Sequence, residues 1–230
     1  MAYHCCRNRF DYLIEFLKGV YCFSESEMKR RVVFENLDLL DKLFKDHRFV
    51  LAYAGHLVNF EWMITLQLHR PDIGMCNLYL SGPQNEWSDW LDKARGRYGA
   101  VNIPSSSPLR SLIQINKDMI AGKTPYKGYV FGSLADMDPK SENPHTAPFF
   151  GHELEIVTGT ERLGRRFDMA FIFAHLTRPR RGYYNVKLYE LCPSDVENNI
   201  YAYSDAFVSA LQQNLVDDPE LWFQWGDPRF

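Results

Sequence analysis

Phe49-Val-Leu-Ala-Tyr-Ala54, followed at once by Gly55-His56, is a six-residue apolar run closed by a glycine. A run this short, with no polar alternation, reads as a strand buried on both faces, the kind found in parallel sheets. The surrounding segments repeat the theme. Phe60–Leu68 reads as helix, Met75–Leu80 as a second strand, and Ser81-Gly82-Pro83 as a turn before a helix over about Asn85–Arg97. Next come a strand near Ala100–Ile103, a helix over Leu109–Ala121 and a buried strand at Tyr129–Leu134. Met137–Thr146 is polar and contains prolines, so it reads as a long loop. Beyond it lie a helix at Glu161–Arg166, strands at Met169–His175 and Tyr183–Tyr189 turning through Pro179 and Gly182, and a last helix over Val196–Val216. Strands alternating with helices predict an α/β fold with a central, largely parallel or mixed sheet flanked by helices.

Upstream of this core (residues 47–230), residues 1–46 read as a helical N-terminal segment, the whole forming one domain. Ser24 and Glu27 make a capping-box pattern that opens a second helix running toward Lys45. In the first helix Phe10, Leu13, Ile14 and Leu17 recur at helical spacing, with Arg7, Arg9 and Lys18 nearby. This face is expected to pack on the core, while its basic flanks keep an interfacial role open.

Composition narrows the function. The chain has 46% apolar residues and a net charge of −3, so it carries no global cationic excess of the kind a general nucleic-acid binder uses. Arg162, Arg165, Arg166, Arg178, Arg180 and Arg181 cluster locally, as either a solvated face or a patch for anionic head groups or an acidic carrier protein. Five cysteines with no metal-ligand spacing point to free thiols, and no metal site is expected. Cys76, inside an apolar run, is expected in the core. No stretch approaches the length of a membrane-spanning helix.

In open parallel sheets, sites lie at the carboxyl ends of strands, which directs attention to the residues just after FVLAYA and YVFGSL. His56 stands at the end of the first, and Glu61 comes five residues later. With seven histidines and 29 acids in 230 residues, about one such pair arises by chance, so context must decide. Five helical residues turn a side chain through about 500°, or 140° net, so the two meet only with His56 in the turn and Glu61 in the first helical turn. Gly55 and a capping Asn59 permit that. A carboxylate on one ring nitrogen would leave the other free to take a proton from an alcohol. The alternative is a structural His beside an exposed Glu.

GHLVNFEW (55–62) resembles the H-x4-D/E block of the lipid A lauroyl/myristoyl acyltransferases, within the wider glycerolipid acyltransferase superfamily. Further blocks occur in that family's order: ARGRYGAVNIP (94–104), LADMDP (134–139), APFFGHELEIVTGTERLGRR (147–166), RPRRGYYNVKLYEL (178–191) and DPELWFQW (218–225). The RGYY block is similar to versions from the Bacteroides group. The resemblance spans about residues 30–225 and implies a glycerolipid-acyltransferase-like fold. It also implies O-acyl transfer from an acyl carrier protein thioester to a lipid A precursor, at the cytoplasmic face of the bacterial inner membrane. His56 is then the expected base and Glu61 the residue that orients it. Arg95 and Arg97 are expected to contact lipid phosphate or carrier protein, Asp136 to line the acceptor site, and Gly159 and Thr160 to shape it. No cofactor, metal or nucleic-acid partner is implied.

Three departures stand out. Leu80 occupies the place of the family's Arg after Tyr79, Met137 that of a Gln after Asp136, and Trp225-Gly226-Asp227-Pro228-Arg229 replaces a Trp-x-His-x-Arg-like run. The family's N-terminal membrane helix also has no counterpart, so peripheral membrane contact is expected through surface aromatic and basic residues. Three alternatives stay open: an acyltransferase for a different membrane lipid, a non-catalytic relative that binds lipid or carrier protein, and a hydrolase that uses the same base on water.

Overall fold

Apolar runs rich in β-branched and aromatic residues form the central strands of the computed structural model, which describes residues 2–79, 85–104, 106–139, 142 and 144–225. Seven strands make the main sheet: β1 (Val32–Glu35), β2 (Phe49–Ala54), β3 (Gly74–Tyr79), β4 (Val101–Pro104), β5 (Tyr129–Leu134), β8 (Ala170–Arg180) and β9 (Tyr183–Glu190). Their order is β1-β9-β8-β2-β5-β3-β4, with every pairing parallel except the β8–β9 hairpin. The expected α/β architecture with a largely parallel sheet is therefore the one present. The helices are α1 (Ala2–Tyr21), α2 (Glu25–Arg31), α3 (Asp38–Leu43), α4 (Leu66–His69), α5 (Glu86–Arg95), α6 (Pro108–Ile120), α7 (Gly159–Arg166) and α8 (Ala202–Asp217). A short 3₁₀ helix, Phe60–Thr65, leads into α4.

β2 lies mid-sheet and all six of its residues are buried. Alternation sends its residues to two different environments. On one face Tyr53 stacks on Phe171 and on Phe207 of α8, closing a dense aromatic layer. The other face is floored by small side chains, Ala52 and Ala54 of β2, Gly132 of β5 and Ala174 of β8, and these border a cavity. Large residues at these positions would fill that space.

Three expectations are corrected. The helix opened by Ser24 does not reach Lys45. Ser24 caps it as anticipated, accepting from the Glu27 N–H at 3.2 Å, but Val32-Val33-Phe34-Glu35 leaves the helix as an edge strand beside β9. The β-branched pair favours extended backbone, and Val32 is buried there against Tyr184's strand. The loop expected over 137–146 gives way at His145 to a separate hairpin, β6 (His145–Phe149) with β7 (His152–Ile156). Gly151 makes its turn at φ +81°, a conformation suited to glycine.

The third correction concerns α1. Its Phe10, Leu13, Ile14 and Leu17 face outward, while Asn8, Asp11 and Glu15 are the residues it buries, together with Phe16. Those polar groups are paired inward. Arg178 donates to Asn8 at 2.6 Å, Arg181 to Asp11 at 2.8 Å, and the Tyr184 hydroxyl to Glu15 at 2.5 Å. The helix is held by hydrogen bonds on the side where most amphipathic helices are held by apolar burial.

Candidate active site

β2 and β5 are paired in parallel, with Ala54 opposite Leu134. Continuing that register two residues past the strand ends sets His56 opposite Asp136. There His56 Nδ1 lies 2.7 Å from Asp136 Oδ1, and the His56 backbone N–H donates to Oδ2 at 2.8 Å. The Trp222 indole N–H donates to the same Oδ2, also at 2.8 Å. Asp136 is fully buried. A carboxylate held by three donors in a dry site stays ionised. Burial alone would raise its pKa, but the His56 charge and the hydrogen bonds from His56 and Trp222 bring it below the usual carboxylate range. For His56, burial works against the imidazolium, yet the Asp136 charge and hydrogen bond prevail and raise its pKa above the ordinary value, with a smaller contribution from Glu61.

The hydrogen bond to Asp136 assigns the proton to Nδ1 and leaves Nε2 with its lone pair. The turn that carries His56 is fixed from the C-terminal side. Val58 N–H donates to Leu221 O at 2.8 Å, and Phe223 N–H to His56 O at 2.9 Å. Val58 sits at φ +34°, unusual for a β-branched residue, and is buried within this clamp. The DPELWFQW segment thus positions the turn through backbone bonds and orients the carboxylate through Trp222.

Glu61 is not the carboxylate hydrogen-bonded to His56. Its carboxylate is gripped by Arg95, whose Nε lies 3.1 and 3.0 Å from the two oxygens and whose Nη2 lies 2.5 Å from Oε1. The reason is geometric. The segment after Asn59 winds as a 3₁₀ helix, directing Glu61 toward the end of α5 while Asp136 occupies Nδ1 of His56. Asn59 itself does not cap with its side chain, which donates to Glu15 of α1 at 3.1 Å. Tyr12 of α1 lies against the Glu61–Arg95 pair, and burial with the Glu61 charge raises its pKa strongly.

Two cavities meet at this point. A wide one of about 560 Å³ is bordered by His56, Met137, Gly159, Thr160, Arg162 and Arg166, among others. A narrower one of about 100 Å³ runs over the small-residue floor of the sheet and is walled by Met63, Ile64, Leu66, Met75 and Leu188. Phe60, Leu78, Tyr79, Arg95, Ser133 and Leu134 border both, so the Glu61–Arg95 pair stands at their junction. The Phe60 ring lies edge-on to His56, 5.0 Å between centroids.

The other expected site residues divide. Gly159 and Thr160 line the wide cavity, at the start of α7. Asp136 is a partner of His56, is fully buried, and does not border the wide cavity. Arg97 is turned away from both cavities and donates to the carbonyls of Gly19, Val20 and Phe23, anchoring the end of α1. The arginine cluster also separates. Arg165, Arg178 and Arg181 are bound to Glu161, Glu220 and Asp11, whereas Arg162 and Arg166 are exposed at the rim of the wide cavity. Leu80 lies outside the described residues, as do 226–229 of the terminal departure. Met137 replaces a polar family residue with an apolar one in the cavity wall. Cys76 is a core residue whose thiol is pushed up to about 12 by burial. Among the described residues no three His, Cys, Asp or Glu side chains converge as a metal site.

The sequence reading missed the partnership of Asp136 with His56. Its signal was available in part, because both residues come just after apolar strand runs, but the register that sets them opposite one another is a tertiary fact. No curated protein matches the chain. The family described as bacterial lipid A biosynthesis acyltransferase matches residues 7–230, nearly the whole length. The chain belongs to that family, and it is an acyltransferase with an acyl donor and a lipid acceptor.

Proposed function

We propose that this enzyme moves a fatty acyl chain from an acyl carrier protein thioester to a hydroxyl of a lipid A precursor at the cytoplasmic face of the inner membrane. The observation that carries the mechanism is the His56–Asp136 pair standing where a wide, partly basic cavity meets a narrow apolar one. The acyl chain lies along the floor of Ala52, Ala54 and Gly132, which places its thioester carbonyl near the junction. The acceptor enters through the wide cavity, its anionic groups met by Arg162 and Arg166.

His56 Nε2 takes the proton of the acceptor hydroxyl while Asp136 holds the ring and offsets the imidazolium charge. The acceptor oxygen bonds to the acyl carbon, giving a tetrahedral oxyanion. Collapse breaks the carbon–sulfur bond, and the departing thiolate receives the proton from His56. Arg95, held in place by Glu61, supplies positive charge at the junction for the developing oxyanion. Glu61 thus acts through Arg95, and the acyl chain passes directly between substrates.

The test incubates purified enzyme in mixed micelles with labelled acyl-carrier protein and a panel of lipid hydroxyl acceptors, beside His56→Ala. Label in a lipid A precursor with the wild type, lost in the variant, is the expected result. Equal transfer by the variant would remove His56 as the base. Transfer only to another lipid would reassign the acceptor, a substitution the apolar Met137 wall makes worth including in the panel. Binding of the carrier protein without transfer to any acceptor would favour a non-catalytic relative.

A further inference from the structure

The outward face of α1 has the composition of an interior. Tyr3, Phe10, Leu13, Ile14, Leu17 and Tyr21 are each between 46% and 73% exposed. At about 100° per residue they fall within one stripe roughly 100° wide running the length of the helix. The acidic residues of α1, Asp11 and Glu15, are both buried on the opposite side, so its exposed charges are all positive: Arg9 and Lys18, with half-buried Arg7 beside them. An apolar stripe bordered only by cations is the pattern of a helix lying in a membrane interface.

We infer that α1 is an in-plane docking helix for an anionic lipid bilayer. The inference rests on the proposed reading that the acceptor is a membrane lipid, and it names the surface by which the enzyme reaches it. No helix among the described residues is long and apolar enough to cross a membrane, and the five charged residues within α1 suit an interfacial position. A second copy of the chain is a poorer occupant. A 20-residue helix is about 30 Å long, and a stripe roughly 10 Å wide offers on the order of 300 Å². A stable dimer takes about 800 Å² per partner. An acidic carrier protein would satisfy the cations but leave the aliphatic stripe in water.

The inward side of α1 connects docking to the site. Tyr12 stacks on Phe60, 5.5 Å between centroids, and Phe60 in turn lies against His56 and borders both cavities. One aromatic layer therefore separates the docking helix from the reacting groups. The hydrogen bonds of Asp11 to Arg181 and of Glu15 to Tyr184 and Asn59 keep the helix seated while its apolar side enters lipid.

The test is flotation of the full chain with vesicles of phosphatidylcholine alone or mixed with phosphatidylglycerol, beside the double variant Leu13→Asp/Leu17→Asp. The wild type is expected to float with the anionic vesicles, at least tenfold less with phosphatidylcholine alone, and less as salt rises. The double variant, whose changed positions are exposed, is expected to lose at least tenfold in bound fraction and to keep its melting temperature. A measurement independent of any variant is hydrogen exchange, in which the amides of residues 2–21 should gain protection when anionic vesicles are added. The inference is overturned if the wild type does not float, if the variant floats equally, or if protection appears only elsewhere. It is also overturned if sedimentation shows a wild-type dimer that the variant dissociates. Acyl transfer in mixed micelles needs no docking, so the double variant should keep it. Loss of micellar transfer by the wild type with vesicle binding intact would defeat the acyl-transfer reading and leave the docking helix standing.

Discussion

Asp136 has three donors converging on it and is excluded from solvent, while Glu61 is fully engaged with Arg95. The two acids therefore do different work, and their conservative variants should fail differently. Asp136→Asn keeps the shape but offers His56 no fixed charge and permits the wrong tautomer. In a serine protease triad the corresponding loss is about 10⁴-fold in kcat, and a fall of roughly 10³- to 10⁴-fold is expected here. Nitrogen-15 NMR of histidine-labelled protein should find the His56 proton on Nδ1 above its raised pKa and on a mixture of nitrogens in the variant. Glu61→Ala instead leaves the Arg95 guanidinium partly buried without its anion. Breaking such a pair costs about 3–5 kcal/mol when both ions are fully buried. The partial exposure of Arg95 lowers the expectation to about 2–3 kcal/mol, readable as a lower urea midpoint at unchanged m.

At the scale of elements, three neighbouring strands shape the narrow cavity. Ala52, Ala54, Gly132 and Ala174 form the cavity floor because three neighbouring strands present small side chains to the same face. Ala52→Leu extends side-chain atoms into open space, so stability should change little. The preferred acyl chain should shorten by a few carbons, which mass spectrometry of the products would show. A chain-length profile identical to wild type would mean that the acyl group lies elsewhere. The sequence made these strands legible because six-residue apolar runs between glycines and polar turns have few other readings. It did not make the helix–strand break at Val32 legible, since Met28 and Val32 also fit a helical period and only pairing with β9 decides between them. The hairpin at 145–156 was hidden by the polar, proline-containing stretch before it. In α1 the period was read correctly but its direction was inverted, because burial of Asn8, Asp11 and Glu15 depends on Arg178, Arg181 and Tyr184, more than 160 residues away.

Over the whole molecule, charge is partitioned by role. Of the six arginines clustered between 162 and 181, three are bound to acids and hold helices in place, Arg180 lies over the Tyr183 ring, and Arg162 and Arg166 are left at the cavity rim. Arg162→Ala/Arg166→Ala should raise KM for a phosphorylated acceptor with kcat nearly unchanged, since such contacts hold ground and transition states alike. A fall in kcat alone would place them in the chemistry. The residue types at the site were visible in the sequence, and His56, Glu61, Arg95, Asp136, Gly159 and Thr160 all gather at or beside one junction. Which acid serves which base was not visible, because the five-residue spacing from His56 to Glu61 is local whereas the 80-residue step to Asp136 is set by strand register.

In the proposed mechanism His56, oriented by Asp136, is the base for acyl transfer. The decisive measurement is the pH dependence of single-turnover transfer for wild type, Asp136→Asn and Glu61→Gln. His56 must be neutral to accept the proton, so the wild-type rate should rise with pH through a value above the ordinary 6.5 and then level off. Asp136→Asn should lower the plateau steeply and move the rise to lower pH, because the charge that stabilised the imidazolium is gone. Glu61→Gln should move it much less. A larger displacement from Glu61→Gln than from Asp136→Asn, or no acidic limb in the wild type, would rule out Asp136 as the partner of a His56 base.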